Sequence, residues 1–264
     1  MCFKNPFTRS IPRIFPSLLL REVADCGIYD NMKISVRTEG KENGIRTKRQ
    51  QKGTKKTMQS SSVPFRYKQM ILRDYQESDI DDDVYWNSGH RPWMDWDAPW
   101  EPCMDVSDKE KFRAESLALI AAEKSSPRWS LQIETEGVRI GFVSSYRIGE
   151  DYEDVSREEA KTKKWFRAVG IDILNDRYWG RGFGTMALEA WLLYLLEHGE
   201  KELFLQTWSG NGRMIHVAEK LGFAECNRRV GIREWQGRRY DALTFRLDKE
   251  AFRAVLEKET EAAE

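Results

Sequence analysis

Between residue 66 and the end of the chain, the spacing of apolar residues changes repeatedly from strand-like to helical periodicity. Alternating or continuous apolar runs predict strands over 68–72, 128–135, 138–148, 166–174, 202–208, 223–235 and 239–247. Helical spacing predicts helices over 74–86, 107–124, 185–197, 211–220 and 248–259. Strands and helices are therefore mixed along the chain.

Short polar signals predict where several elements begin and end. Ser107-x-x-Glu110 has the form of a capping box and puts the start of the second helix there. Glu136-Gly137 is typical of a tight turn between two paired strands. Residues 149–164 are highly charged and form either a loop or a short helix over 156–164. One helix has an apolar stripe that predicts its buried face, formed by Leu188, Trp191, Leu192 and Leu195.

Charge is distributed unevenly along the 264 residues, although the formal net charge is zero. Residues 1–62 contain 13 Lys and Arg against 5 Asp and Glu, a formal charge of +8, and the remainder contains 30 against 38, a charge of −8. An acidic body argues against nucleic acid as the main partner. Residues 41–58 hold almost no large apolar side chains, so we expect 1–62 to form a disordered basic extension. An alternative is that translation begins at Met58 or Met70.

The apolar run over 11–20 is the candidate for a membrane or export segment. Pro12 and Pro16 interrupt it, it is too short to span a bilayer, and no small-residue cleavage site follows it. The four cysteines lie far apart without a CxxC pair, and the three histidines have no metal-binding spacing. These features favour a cytoplasmic protein with free thiols, no metal and no membrane partner.

A glycine-rich turn connects the strand over 166–174 to the helix over 185–197. Gly180, Gly182 and Gly184 allow a tight turn and let main-chain amides approach a ligand closely. The helix that follows directs unpaired N–H groups and the positive end of its dipole into the turn, which predicts an anion site. The spacing does not match the Gly-x-Gly-x-x-Gly of dinucleotide-binding domains, and no P-loop Gly-Lys-Ser/Thr occurs.

This turn, with the residues over 166–223 around it, resembles the acetyl-CoA pyrophosphate loop of the GNAT N-acetyltransferases. The closest resemblance is to the branch of ribosomal-protein N-terminal acetyltransferases. Arg177-x-x-Gly180-x-Gly182 fits the letters of the family loop, Gln/Arg-x-x-Gly-x-Gly/Ala. We prefer the register Gly182-x-Gly184, which fits the residues that follow and puts Trp179 where the family has Gln or Arg.

The resemblance implies a fold, a domain and a co-substrate. The fold is the GNAT fold, an α+β architecture with a central, mixed, mostly antiparallel twisted sheet of six to seven strands flanked by helices. The acetyltransferase domain would span 66–252, followed by a helix end and tail over 253–264. Acetyl-CoA would be the co-substrate, and the protein would be a monomer or a homodimer.

The resemblance also implies which residues hold the cofactor. The edge of the strand over 166–174 would pair with the pantetheine arm, and the amide of Ile171 or Ile173 would donate to the thioester oxygen. Asn211 matches the family asparagine that binds the arm, although Asn is also a favoured helix N-cap. The diphosphate would be held by the turn, through Arg181, Gly182, Phe183, Gly184 and Thr185.

The general base and acid are less well marked than the cofactor site. Asp172 lies in an apolar strand, so it either lines the active site, as a base or a cation-binding group, or bonds a structural partner. The family tyrosine that protonates the leaving thiolate is replaced by Ala218, and the serine of the ribosomal branch by Met214. His216 is either a substitute acid or a surface residue of the helix. With no acid, the thiolate would take its proton from solvent.

An aromatic and acidic segment between the first two helices is the candidate acceptor site. Trp93, Trp96, Trp100 and Asp97 combine aromatic faces with a carboxylate, which suits a cationic amine. The alternative is an aromatic lid that packs on the core. The expected acceptor is a small amine or, from the ribosomal branch, a protein N-terminus. Two other hypotheses are a non-catalytic acyl-CoA sensor and a ribosome or RNA interactor that binds through the basic extension.

Overall fold

The structure, a computed structural model, describes residues 63–102, 104–122 and 125–261. The predicted basic extension over 1–62 and the last three residues of the predicted tail lie outside the described residues. None of the described helices is both long enough and apolar enough to cross a membrane.

Within the described residues, one sheet of eight strands forms the centre of the fold, in the order β1-β2-β3-β4-β5-β6-β8-β7. The strands are β1 Phe65–Tyr67, β2 Met70–Arg73, β3 Ser130–Thr135, β4 Val138–Ile148, β5 Phe166–Ile173, β6 Leu203–Trp208, β7 Phe223–Trp235 and β8 Arg238–Leu247. Neighbouring strands are antiparallel except β5 and β6, which are parallel. The mixed, mostly antiparallel α+β fold is therefore confirmed, with more strands than the expected six to seven.

The additional strand is β1, which forms a hairpin with β2 and extends the sheet at one edge. Phe65 pairs with Leu72 and Tyr67 with Met70, across a turn in which Lys68 has a φ of +52°. Three residues are too few to give a recognisable alternation, which is why the sequence pattern did not separate this strand. Burial stabilises it, because Phe65 is 6% exposed and stacks on Tyr194 with ring centroids 5.5 Å apart.

Five α-helices cover the two faces of the sheet in the described part of the chain. They are α1 Asp79–Asn87, α2 Lys109–Ala122, α3 Phe183–Glu197, α4 Gly212–Lys220 and α5 Lys249–Glu261. The main core contains apolar residues from α3, α4 and α5 together with one face of the sheet. Smaller clusters on the other face bring together α1, α2 and the aromatic segment between them.

The predicted apolar stripe of α3 is confirmed. Leu188, Trp191, Leu192 and Leu195 are all 0% exposed, and the indole N–H of Trp191 donates to the carbonyl of Ser144 at 3.1 Å. The helix is therefore fixed against the centre of the sheet along its length. Because its first residue, Phe183, follows the glycine-rich turn directly, the same packing also fixes the position of that turn.

Three predicted helix starts are wrong. The first helix, predicted from residue 74, begins at Asp79 after an irregular stretch and a turn. The second helix begins at Lys109, and Asp108 is its cap, with Oδ1 accepting from the Lys111 amide at 3.0 Å. The Ser107 hydroxyl donates to Asp105 Oδ1 at 2.6 Å, and Asp108, one residue nearer the helix, supplies the cap in place of Ser107. The third helix begins two residues before the predicted Thr185, because Gly182 adopts the left-handed conformation of its N-cap.

Ion pairs attach α1 to the sheet. Arg139 on β4 contacts Asp83 Oδ1 at 2.7 Å, and the two side chains are 3% and 1% exposed. Arg73 on β2 makes two bonds to Asp79, at 2.7 and 2.9 Å. The carboxylates of Asp79 and Asp83 therefore hold α1 in place, and with it the beginning of the aromatic segment that follows.

Candidate functional site

The sheet opens between β5 and β6, the parallel pair at its centre. Their pairing covers only Arg167 to Val169 on β5 and Leu203 to Leu205 on β6. Beyond these residues β5 continues to Ile173 and β6 to Trp208 without pairing to each other. Because β5 stays paired with β4 over its whole length, the separation leaves one edge of its second half facing a cleft.

The main chain of Ile171 and Ile173 faces this cleft. The amide of Leu174 donates to Ile140 on β4 at 2.9 Å, and a Cβ on Gly141 of β4 would lie 1.9 Å from the carbonyl oxygen of Asp172. Main-chain groups alternate in direction along a strand, so those of the two isoleucines point away from β4. These are the residues that the sequence predicted as oxyanion donors, and their amides lie on the open edge.

The glycine-rich turn closes one end of the cleft. Gly180 and Gly182 have φ values of +68° and +82°, a region that disfavours residues with a Cβ. The first helical hydrogen bond of α3 runs from the Met186 amide to the Gly182 carbonyl at 3.0 Å, and no side chain caps the helix. The amides of residues 183–185 are thus the unbonded N–H groups of a helix N-terminus.

Side chains around the turn add positive charge. The Arg181 guanidinium lies over the rings of Tyr178 and Phe183, at 5.6 and 5.3 Å from their centroids. Trp179 turns inward, and its indole N–H donates to the Ile173 carbonyl at 2.8 Å. Trp179, which stands where the family has Gln or Arg, therefore links the glycine-rich turn to the open edge of β5.

Asn211 is an N-cap and also contacts the aromatic segment. Its Oδ1 accepts from the Met214 amide at 3.0 Å, and its Nδ2 donates to the Trp96 carbonyl. The same carbonyl accepts from the Trp208 indole N–H at 3.1 Å. Nδ2 carries a second hydrogen, so the predicted bond from Asn211 to a cofactor arm is compatible with the bond to Trp96.

The aromatic segment covers the cleft from the α1 and α2 side. Trp93 is 2% exposed and packs with Met94, Phe142 and Leu174, which is the lid-like packing that the sequence left open. Trp96 is half-buried beside α4. Trp100 packs edge-on against Trp208, with ring centroids 5.5 Å apart. The tryptophans of this segment therefore pack against neighbouring elements and also line the cleft.

Asp172 and His216 differ in their surroundings. Asp172 is 8% exposed, and strand alternation puts its side chain on the same side as that of Leu174, the residue after β5. His216 is an exposed residue of α4. Ala218, at the position of the family tyrosine, is 0% exposed in the core.

A single cavity of about 820 Å³ brings these features together. Every residue that the sequence predicted for catalysis, cofactor binding or acceptor binding lines it, namely Trp93, Trp96, Asp97, Trp100, Ile171, Asp172, Ile173, Arg181, Gly182, Phe183, Gly184, Thr185, Asn211 and His216. Its volume lies in the usual range of ligand sites. Its described lining contains the carboxylates of Asp97 and Asp172 on one side, and Arg181, Arg213 and Lys220 on the turn and α4.

Several lining residues were missed by the sequence analysis. Tyr178 and Trp179 lie in the turn, Gln206 and Thr207 on β6, and Arg213 on α4. The signal for Arg213 was its position one residue after the start of the helix that Asn211 caps. No group of three or more His, Cys, Asp or Glu that could hold a metal ion occurs in the described ranges.

Comparison with known families gives a match over more than half of the chain. The profile of the acetyltransferase (GNAT) domain matches residues 69–224. This range includes β2, the aromatic segment, the glycine-rich turn and α4, so it contains the whole lining of the cavity. No curated protein matches the chain.

Solved structures of the same fold have low sequence identity to the chain. An acetyltransferase of the GNAT family from Streptococcus pneumoniae is 18% identical with a TM-score of 0.51, over 67% of this chain and 98% of its own. One from Bacillus anthracis is 12% identical with a TM-score of 0.49, over 70% and 98%. A ribosomal L7/L12 alpha-N-protein acetyltransferase in complex with coenzyme A is 14% identical with a TM-score of 0.49, over 70% and 94%.

Proposed function

The chain belongs to the GNAT acetyltransferase family, and we propose that it is an acetyl-CoA-dependent N-acetyltransferase with its catalytic domain over residues 66–252. The acceptor that we propose is the primary amine of a small cationic molecule, which attacks acetyl-CoA directly in a ternary complex. A cytoplasmic location and a monomeric or homodimeric state are part of the same proposal.

One observation carries the proposal: the uncapped N-terminus of α3 and the unpaired edge of β5 line the same cavity. A helix N-terminus attracts a phosphate, and a free strand edge pairs with an extended chain that carries amides. Acetyl-CoA has both parts, a diphosphate and a pantetheine arm with two amides. A simple phosphate ester would not need the strand edge, so the combination favours acetyl-CoA.

The residues of the turn and of β5 would divide the binding between them. The amides of Gly182, Gly184 and Thr185 would hold the diphosphate, with the Phe183 amide and the Arg181 charge assisting. The amides of Ile171 and Ile173 point into the cleft and would bond the arm and the thioester oxygen. Asn211 would donate the second hydrogen of its Nδ2 to the arm.

The chemical step needs a neutral amine and a stabilised oxyanion. The amine nitrogen attacks the thioester carbonyl carbon, and the carbon–sulfur bond breaks as the carbonyl re-forms. An Ile171 or Ile173 amide would stabilise the oxygen that becomes negative in between. Asp172 would accept the amine proton through water, with His216 as the other candidate.

The leaving thiolate would take its proton from solvent. The helix position that carries an acid in many relatives holds Ala218, which is fully buried. No tyrosine hydroxyl can therefore act from that position. Loss of an acid slows a step but does not prevent it, because a thiolate is a good leaving group near neutral pH.

The acceptor side of the cavity favours a cation. Asp97 and Asp172 contribute carboxylates, and Trp93, Trp96 and Trp100 contribute aromatic faces. A cationic amine interacts favourably with both. A protein N-terminus is the alternative acceptor, and a non-catalytic acyl-CoA-binding protein is the alternative to an enzyme.

The test is release of free thiol from acetyl-CoA in the presence of separate amines: a polyamine, an amino sugar, an amino acid and a short peptide with a free N-terminus. We expect release with one of the small amines and, for Asp172→Asn, a roughly hundred-fold lower kcat, as is typical of losing a general base. Calorimetric titration with CoA should give the same affinity for the variant as for the wild type.

Asp176→Asn is the matched control, because Asp176 is an exposed carboxylate four residues after Asp172, beyond the end of β5. It should keep the wild-type kcat. Release only with the peptide would move the acceptor to a protein N-terminus. CoA binding without release of free thiol for any amine would show that the protein is a non-catalytic acyl-CoA-binding protein.

A further inference from the structure

Arg213 is a cavity-lining cation that has no role in the family pattern described above. It is the second residue of α4, two residues after Asn211. We propose that Arg213 binds a phosphate group of the cofactor and, through its stacking partners, couples cofactor binding to the position of the aromatic segment. The proposal rests on the proposed function, since it requires that CoA occupies this cavity.

Two tryptophans hold the guanidinium of Arg213. Its central carbon lies 4.2 Å from the ring centroid of Trp96 and 4.3 Å from that of Trp179. Each distance is within the range of a favourable cation–π interaction. An exposed arginine normally samples many rotamers, so contact with two indoles restricts it to one orientation and lowers the entropy cost of binding a ligand.

Contact with the two indoles leaves the N–H groups of Arg213 available. The guanidinium interacts with the rings through its charge, and its five N–H donors can still bond an acceptor. In the described part of the chain, no hydrogen bond or ion pair from Arg213 is found, in contrast to Arg73, Arg139 and Arg167, which all bond carboxylates. A fork of oriented donors without an acceptor is the arrangement that binds phosphate.

The ligand is identified by the other groups in the same cavity. Trp179 lies three residues before Gly182. Its contact with Arg213 therefore places this arginine beside the turn that leads into the uncapped N-terminus of α3. Arg181 and Lys220 also line the cavity, and its carboxylates belong to β5 and the aromatic segment instead. A cation fixed beside a helix N-terminus favours an anion with more than one charge, such as the diphosphate or the 3′-phosphate of CoA.

The two tryptophans that contact Arg213 belong to different parts of the site, one on the cofactor side and one on the acceptor side. Trp179 belongs to the glycine-rich turn, and Trp96 to the aromatic segment that covers the acceptor side. The Trp96 carbonyl in turn accepts from Asn211 and Trp208. A phosphate bound to Arg213 would therefore affect the position of the aromatic segment through the contact between Arg213 and Trp96.

The test is calorimetric titration of the full chain with CoA, with dephospho-CoA, which lacks the 3′-phosphate, and with pantetheine, which lacks all phosphates. Arg213→Gln should bind CoA about ten-fold more weakly than the wild type and pantetheine equally well. If the ten-fold loss disappears with dephospho-CoA, the 3′-phosphate is the partner; if it persists, the diphosphate is. Arg213→Lys should recover only part of the affinity, because a lysine has no fork of donors.

Arg66→Gln is the matched control, since it removes an exposed arginine from β1 at the edge of the sheet. It should bind all three ligands as the wild type does. Equal CoA affinity in Arg213→Gln and the wild type would overturn the inference, and so would an equal loss for pantetheine, which would indicate a structural role. If the wild-type chain itself binds no CoA, the proposed function fails and the inference with it.

Discussion

Some charged residues of this protein are paired in the core, and others line the cavity. Arg139 and Asp83 represent the first kind, with side chains that are 3% and 1% exposed. The Arg139 Nε also donates to Gln132 at 2.7 Å, and the Tyr75 hydroxyl donates to Asp83 at 2.6 Å. Removal of either charge would leave the other buried without a counter-charge.

Arg139→Met should lower the free energy of unfolding by about 3–5 kcal/mol, because Asp83 would be left in the core as an unpaired carboxylate. Urea unfolding measures this as a lower midpoint with an unchanged slope. Lys111→Met is the control, since its pair with Glu115 is exposed and 4.0 Å long and is expected to be worth less than about 1 kcal/mol. A loss below about 1 kcal/mol for Arg139→Met would show that the buried pair does not stabilise α1.

The carboxyl of Asp154 has a raised pKa in the folded state. Burial raises the pKa of its carboxyl from 3.8 to about 7, against the opposing effect of nearby Arg233 and with a smaller contribution from Glu101. The folded chain therefore binds one more proton than the unfolded chain between these two pH values. The free energy of unfolding consequently decreases as the pH rises through this window.

Asp154→Asn should remove this decrease, because an amide has no proton to lose. Urea unfolding of both proteins at pH 5 and pH 8 would show the variant gaining stability relative to the wild type as the pH rises. Asp176→Asn, which changes an exposed carboxylate, should follow the wild type at both pH values. Parallel curves for Asp154→Asn and the wild type would contradict the raised pKa.

At the scale of elements, the junction of β5, the glycine-rich turn and α3 determines the site. Gly182 is required by its φ of +82°. Gly184 is not, because it has no positive φ and a Cβ there would find only Ile173 Cγ1, at 4.0 Å. Any need for glycine at 184 therefore comes from a ligand that approaches the main chain and not from the fold.

The two glycines should respond differently to alanine. Gly182→Ala should lower the free energy of unfolding by roughly 1–2 kcal/mol, the cost of a left-handed residue with a Cβ. Gly184→Ala should keep or slightly raise stability, since alanine favours a helix, but should bind CoA about ten-fold more weakly, ~1.4 kcal/mol. Unfolding curves and CoA titration measure the two effects, and unchanged CoA affinity in Gly184→Ala would contradict the ligand role of the turn.

Elements with strong periodicity were predictable from the sequence, and elements set by tertiary contacts were not. The stripe on α3 and the turn at Glu136-Gly137 follow from local patterns and are confirmed. Strand β1 exists because Phe65 packs on Tyr194, far away in the chain. The capping box at Ser107 was wrong because Asp108, one residue nearer the helix, accepts from the Lys111 amide and caps the helix instead.

At the scale of the whole molecule, the cavity combines segments that are far apart in sequence. The aromatic segment lies between α1 and α2, the glycine-rich turn lies between β5 and α3, and α4 lies between β6 and β7. The residues of each segment were predicted from their chemistry or from the family resemblance, and the fold brings them to one cavity. The contacts of Arg213 with Trp96 and Trp179 were not predictable from the sequence, because only the packed fold brings these segments together.

The most direct test of the central claim is a crystal structure of the protein with CoA. We expect the diphosphate within hydrogen-bonding distance of the main-chain nitrogens of residues 182–185, and the pantetheine arm along Ile171 to Ile173 in the opening between β5 and β6. CoA bound elsewhere, or a cleft that stays empty at saturating CoA, would contradict the assignment of this cavity as the acetyl-CoA site.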